Sequence, residues 1–206
     1  MSGKIEFTYG TMNSGKSTLA LQVYWQLNQY SERCDLWTFG DRSNSNLITS
    51  RIGVSHPALS AKHHSYEALE EIIVTEGYKM VVIDEIQFAE VSFIVFLMEM
   101  ARKHNIDFYT FGLAADFKLN LFEASAKLFA ISDKVTELPA PAYCWCGQKA
   151  KCNGRVVNGS LVKEGEVEII GDVESNLEMY YQVLCRNHYL DANLGNHSLF
   201  EGPGEK

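Results

Sequence analysis

The sequence predicts an α/β fold, a mostly parallel sheet flanked by helices, with a small β-rich, cysteine-bearing appendage. Three observations predict it. Strand-like apolar runs alternate with helical runs up to about residue 137, the pattern of a parallel sheet with right-handed crossovers. The octapeptide Gly10-Thr11-Met12-Asn13-Ser14-Gly15-Lys16-Ser17 fits the phosphate-binding loop G-x-x-x-x-G-K-[ST], placed between a strand and a helix. At Pro139-Ala140-Pro141 the character changes, because two prolines in three residues extend neither a helix nor a central strand.

The elements follow in order. Lys4 to Tyr9 reads as the strand entering the loop. Ser17 to Tyr30 reads as the helix leaving it, with Leu19, Val23 and Leu27 on one face. Cys34 to Phe39 is a strand. Asp41 to His64 is rich in Ser and Asn and reads as a mobile loop with a short strand near its end. Tyr66 to Thr75 is a helix. Met80-Val81-Val82-Ile83 is a continuous apolar run, as expected of a strand buried on both faces. Ser92 to Asn105 is a helix with Ser92 as candidate cap. Phe108 to Gly112 is a strand, Phe122 to Ile131 a helix and Lys134 to Glu137 a short strand. Val167 to Ile170 is β-prone. The expected division is 1–138 for the nucleotide-binding unit, 139–192 for the appendage and 193–206 for a disordered tail.

Composition narrows the function. The chain has 206 residues, and its 46% hydrophobic content suffices for a real core. The net charge of −8 argues against a nucleic-acid-coating surface, so an anionic ligand needs a local site. No apolar run reaches the length of a membrane span, and no signal-peptide pattern opens the chain. A cytosolic location is expected, where five cysteines serve as metal ligands or buried residues rather than disulfides.

In the loop, successive main-chain N–H groups point at phosphate oxygens. Lys16 can reach the β/γ-phosphates and the Ser17 hydroxyl can ligate Mg²⁺. Asp84 ends the buried apolar run, at the sheet edge where such loops bind ligands, and is the candidate second anchor for Mg²⁺. Glu85 beside it can accept a proton from an attacking nucleophile. Water as nucleophile makes an ATPase; a substrate hydroxyl makes a kinase.

Cys144-Trp145-Cys146-Gly147 and Cys185-Arg186-Asn187-His188 bracket a β-prone insert, and Cys144, Cys146, Cys185 and His188 form a candidate Cys₃His zinc site. Its C-x-C spacing is tighter than usual, Cys152 is a competing ligand, and Cys34 is distant and reads as buried. Four protein ligands leave no open position, which favours structural over catalytic zinc. His56, His63, His64, His104 and His197 receive no role.

Together these segments resemble the type II thymidine kinases, the zinc-bearing, P-loop (RecA-like) kind. The resemblance covers residues 1 to about 190. It is carried by Tyr9 to Ser17, Ser50-Arg51-Ile52-Gly53, Asp84-Glu85-Ile86-Gln87-Phe88, Phe111 to Phe117, Cys144-Trp145-Cys146-Gly147, and Tyr181 through Tyr189. The C-x-C spacing is similar to that of a subgroup of the family.

The resemblance implies Mg²⁺-dependent transfer of the ATP γ-phosphoryl group to the 5′-hydroxyl of thymidine or deoxyuridine, with Glu85 as base. It implies a donor-phosphate site of Gly10, Thr11, Met12, Asn13, Ser14, Gly15, Lys16 and Ser17, joined by Asp84, Gln87 and Arg42. It implies thymidine contacts from Met12, Phe88, Phe117 and Tyr181. A closing loop, the lasso, is implied around Glu168, Ile169, Ile170, Gly171 and Asp172. The family's acidic residue two positions before the loop arginine is Gly40 here. The resemblance further implies inhibition by thymidine triphosphate and a homotetramer, with neither nucleic acid nor membrane as partner. Rival readings are a kinase for another deoxynucleoside, a catalytically silent P-loop protein, and a zinc-ribbon ATPase acting on nucleic acid. The last needs a basic groove, against the acidic balance.

Overall fold

In the computed structural model, residues 2–31, 33–40, 46–139, 142–167 and 178–195 are described. The apolar run at the start of the chain is strand β1 (Ile5–Tyr9), followed by helix α1 (Lys16–Ser31) and strand β2 (Cys34–Thr38). Three short strands come next: β3 (Leu47–Thr49), β4 (Ser55–Pro57) and β5 (Leu59–Ser60). Helix α2 (Tyr66–Glu76), strand β6 (Met80–Asp84), helix α3 (Val91–His104), strand β7 (Asp107–Gly112), helix α4 (Glu123–Ile131) and strand β8 (Lys134–Glu137) complete the alternation.

Six strands form one sheet in the order β5-β2-β6-β7-β1-β8, and every pairing in it is parallel. The parallel pairing explains the unbroken run Val81-Val82-Ile83, which is fully buried because helices cover both faces. One face packs Phe7, Trp37, Ile83 and Phe108 against α2, α3 and α4, with Phe93 and Leu97 of α3 in the same cluster. The other packs Leu36, Val82 and Phe111 against Ala20 and Leu21 of α1. Trp37, the largest fully buried side chain, donates its indole N–H to Asp35 Oδ2 at 2.6 Å, so its one polar atom is satisfied.

Helix bounds shift by a residue at several ends, and at the starts of α3 and α4 the shift changes which residue is the cap. Ser92 is not the cap of α3: Glu90 holds that position, and the Ser92 hydroxyl bonds Glu90 Oε2 and the Tyr66 hydroxyl instead. Phe122 precedes α4 as its N-cap rather than opening the helix. Helix α2 follows the usual rule, with Ser65 Oγ accepting the Ala68 N–H at 3.2 Å. The stretch expected to be a mobile loop, 41–64, is structured over its described part. β3 and β4 pair as an antiparallel hairpin and β5 joins the edge of the main sheet beside β2. Burial of Ile48 gives the hairpin its anchor.

Beyond the prolines, strands β9 (Cys152–Val157), β10 (Ser160–Val162) and β11 (Met179–Leu184) form an antiparallel sheet in the order β10-β9-β11. Helix α5 (Arg186–Leu190) follows. The expected strand character of Val167 to Ile170 falls largely outside the described residues, as does the tail beyond residue 195. The chain divides into two units, Met1–Ala114 with Leu121–Ala140, and Ala115–Asn120 with Pro141–Lys206. Residues Ala115–Asn120 thus join the second unit although they precede Pro139. Among the described residues no helix is long and apolar enough to cross a membrane.

A candidate phosphate site and a candidate metal centre

Register places four strand ends at one edge of the main sheet. Tyr9 pairs with Gly112, Ile83 with Thr110, and Thr38 with Asp84. The loop after β1 therefore faces Asp84 and Glu85 after β6, as expected where chain order and strand order diverge in an open parallel sheet. A cleft of about 490 Å³ opens there. Met12, Gly15, Lys16, Ser17, Asp84 and Glu85 line it, together with Gly40 and the hairpin residues from Asn46 to Ile52.

The loop's shape is set locally. Asn13 and Gly15 both take left-handed backbone, with φ of 63° and 88°; only glycine adopts the latter readily. Ser14 Oγ donates to Thr11 O at 2.8 Å, and Lys16 Nζ donates to the same carbonyl at 2.9 Å. Lys16 is 7% exposed, so its charge is held against the loop rather than in solvent. Helix α1 begins at Lys16 and adds the partial positive charge of its first turn.

Asp84 is buried, and its Oδ1 has no hydrogen-bond partner among the described residues. Burial, and next the charge of Glu85, push its carboxyl well above the ordinary carboxylate range, against the opposing hydrogen bond from the Ser17 side chain and the charge of Lys16. A buried carboxylate oxygen without a donor, beside a hydroxyl, is a donor set suited to a hard divalent cation. Ser17 and Asp84 are the residues that could hold one.

Glu85 sits in the left-handed region, φ 56°, where the chain leaves β6 for the 3-10 turn Ile86–Phe88. The carboxylate accepts a hydrogen bond from Gln87 Nε2. Gln87 is itself buried, and its Oε1 accepts the Leu113 main-chain N–H at 2.9 Å. Gln87, expected among the donor-phosphate residues, thus has its amide occupied by Glu85 and the end of β7. A Cβ on Gly40 would lie 3.3 Å from Glu85 Cγ, so the missing acidic side chain at 40 leaves Glu85 room.

Met12 lines the cleft, and Phe88 packs edge-to-face on Phe122 with centroids 5.9 Å apart. Both belong to the first unit. Phe117 and Tyr181 belong to the second, where Arg155 joins them. Its guanidinium lies 3.8 Å from the Phe117 ring centroid, and its Nε and Nη2 donate to the Tyr181 hydroxyl at 2.9 and 2.7 Å. Arg42 and the stretch Glu168, Ile169, Ile170, Gly171 and Asp172 lie outside the described residues. Sequence reasoning missed three participants. The β3–β4 hairpin and His63 line the cleft, and Arg155 organises its unit. The hairpin carried a weak signal in the short apolar run Leu47-Ile48; a lone arginine in a β-prone stretch carries none.

In the second unit the four expected ligands meet. The ligand atoms of Cys144, Cys146, Cys185 and His188 all lie within 4.8 Å of one another. Cys144 Sγ is 3.3 Å from His188 Nδ1, and Cys146 Sγ is 3.9 Å from Cys185 Sγ. Thiolates at about 2.3 Å from a tetrahedral metal stand roughly 3.8 Å apart, so the set fits one ion. The main-chain N–H of His188, and with it that of Asn187, points at the Cys185 sulfur and lowers its pKa, favouring the ligating thiolate. Trp145 stacks on the His188 ring at 4.1 Å and donates its indole N–H to Asn193 O, fixing the ring that presents Nδ1. Cys152 is not in the cluster; it lies in β9 opposite Leu184. Cys34 is buried in β2, and burial, then Asp35, push its thiol up to about 12. Among the described residues no disulfide forms.

A parallel sheet, a phosphate loop and an acidic pair across one cleft define a P-loop nucleotide-binding protein, here with a Cys₃His cluster able to hold a metal ion. Comparison with known proteins narrows the class. Residues 3–189 match the family model described as thymidine kinase, and the chain belongs to the thymidine kinase family. It is 36% identical over 196 residues to the thymidine kinase of Cutibacterium acnes, covering 93% of this chain and 90% of that one. It is 34% identical to that of Streptomyces avermitilis, with 90% and 88% covered, and 35% identical to that of Lactobacillus acidophilus, with 91% and 96% covered.

Proposed function

We propose that the protein transfers the γ-phosphoryl group of ATP to the 5′-hydroxyl of thymidine. The observation that carries this reading is the Asp84–Glu85 pair facing the phosphate loop in a chain of the thymidine kinase family. Phosphoryl transfer requires positioning and neutralisation of spread charge more than covalent chemistry. The loop from Gly10 to Ser17 cradles the donor phosphates, and Lys16 supplies positive charge to them. Ser17 and Asp84 hold Mg²⁺, which when bound neutralises charge on the phosphate oxygens. Glu85 accepts the proton of the 5′-hydroxyl as the oxygen attacks phosphorus. Consecutive residues thus divide the work: the buried Asp84 faces the cation and Glu85, turned by its left-handed backbone, faces the acceptor.

Met12, Phe88, Phe117, Tyr181 and the stretch 168–172 bind the nucleoside, and Arg42 joins the donor site. The Cys₃His set holds structural zinc; its four ligands stabilise a unit with a small core of its own. Thymidine triphosphate inhibits by occupying nucleoside and donor sites together. The active form is a cytoplasmic homotetramer, which light scattering tests.

The test is a phosphorylation assay across the common nucleosides with ATP and Mg²⁺. Thymidine and deoxyuridine should be phosphorylated, and deoxycytidine and purine nucleosides should not. ATP consumption that follows DNA rather than thymidine would overturn the reading in favour of a nucleic-acid ATPase.

A further inference from the structure

We propose that Arg155 is a positioning residue for nucleoside binding, acting through Tyr181, Phe117 and the main chain just ahead of residue 168. The proposal rests on the reading above that Phe117 and Tyr181 bind the nucleoside. Arg155 lies in β9 and is 3% exposed. It reaches three separate pieces of chain at once. Tyr181, its cross-strand partner in β11, receives Nε and Nη2 on the hydroxyl. Nη1 donates to the carbonyl of Glu166, and Nη2 to that of Val167 at 2.8 Å. Those two residues immediately precede 168–172. The third piece is the loop Ala115–Asn120, whose Phe117 ring lies under the guanidinium at 3.8 Å.

Among the described residues no carboxylate pairs with this buried cation. An apolar side chain of similar volume would hold the sheet together without the desolvation cost of a buried charge. What arginine alone supplies is a rigid planar fork whose N–H groups address several acceptors while its face lies on an aromatic ring. The same fork orients the hydroxyl of Tyr181 and the ring of Phe117, so each constrains the other through one rigid group. The Phe117 carbonyl is also held, accepting the Tyr189 hydroxyl at 2.6 Å, which leaves the ring as the part that Arg155 sets.

The experiment compares the full-length parent with R155M, R155K, Y181F, Y181A and the double variant R155M/Y181F. KM for thymidine, KM for ATP, kcat and zinc content are read for each. R155M should raise the thymidine KM about tenfold or more, from lost charge-assisted hydrogen bonds, while the ATP KM stays within about twofold and zinc content is unchanged. R155K keeps the charge but not the fork and should fall between. The double variant should be no worse than R155M, because the Tyr181 hydroxyl serves only as an acceptor through which Arg155 acts, and its removal costs nothing more once the guanidinium is gone. A folded, zinc-bearing R155M with the parent's thymidine KM overturns the proposal. Should R155M fail to fold, R155K/Y181F replaces the double variant, and strictly additive effects of its two changes overturn it. A parent enzyme without thymidine-dependent phosphorylation, or Y181A with an unaltered thymidine KM, would instead overturn the nucleoside-site reading and the proposal with it.

Discussion

Gln87 and Glu85 are joined by a side-chain hydrogen bond from Nε2 to Oε2, and the other end of the Gln87 amide is tied to the main chain of Leu113. The Leu113 N–H can only face the amide oxygen, so the NH₂ group must face Glu85. The carboxylate proposed as base is thus oriented by a buried amide, itself oriented by the end of β7.

Removing the base while keeping its shape tests the assignment of Glu85. Glu85→Gln should lower kcat by about 10²–10⁴-fold with ATP affinity largely retained. An undiminished kcat at saturating substrates would reject the role.

Loosening the orienting amide should give a smaller loss. Gln87→Met removes the donor to Glu85 and leaves the Leu113 N–H unpaired, so kcat should fall by roughly 10–100-fold with a loss of about 1–3 kcal/mol in stability. Gly112→Ala reaches the same amide from the other side, since a Cβ there would lie 2.7 Å from Gln87 Oε1. Its kcat should drop although residue 112 bears no reacting group; parent-like kcat in both variants would remove Gln87 from the account.

Purified protein should contain one equivalent of zinc per chain. Cys146→Ser, or prolonged chelation, should lower both zinc content and melting temperature, because metal binding and folding of the second unit are linked. Zinc below half an equivalent in protein purified without chelator would argue against the Cys₃His site.

Inhibition by thymidine triphosphate should weaken as thymidine rises, since both need the nucleoside site. Rejection of deoxycytidine should be strong, up to about 10⁴-fold, where buried polar groups are left unpaired. Triphosphate binding indifferent to saturating thymidine would refute the shared site.

Glu70 of α2 receives Lys103 and His104 of α3 on one oxygen, at 2.5 and 2.7 Å. The hydrogen bond from Lys103, then that from His104, holds its carboxyl below the ordinary range. A lowered folded-state pKa means the contribution is full above the unfolded value, about 4.3, and disappears as pH falls through the folded one. Glu70→Gln should therefore cost about 0.5–1 kcal/mol at pH 7, with the gap from the parent closing in acid. Thermal melts giving the same gap at pH 7 and pH 3 would contradict this.

Much of the molecule was legible because its signals are local. The loop from Gly10 to Ser17 is a contiguous backbone device, and the apolar run Val81-Val82-Ile83 states by its continuity that both faces are covered. The cysteine and histidine ligands come in two short pairs, so each half announces itself. Ser92 has the pattern of a cap but bonds Tyr66 and Glu90 instead, because a hydroxyl's partner is chosen by what packs beside it. The hairpin of β3 and β4 was missed because three-residue strands carry almost no periodicity and owe their order to burial of Ile48.

The alternation of strands and helices, the phosphate loop, the acidic pair and the two halves of the candidate metal cluster were readable from the chain alone, since each is written in neighbouring residues. Only the tertiary structure decided that β7 lies between β6 and β1, bringing Leu113 to Gln87 and Gln87 to Glu85. It alone decided that Arg155 spans Phe117, Tyr181 and the carbonyls of Glu166 and Val167. The physical reason is the same in both cases. A buried polar group must find partners wherever packing supplies them, and those partners lie far apart in a chain whose local pattern records only which face is apolar.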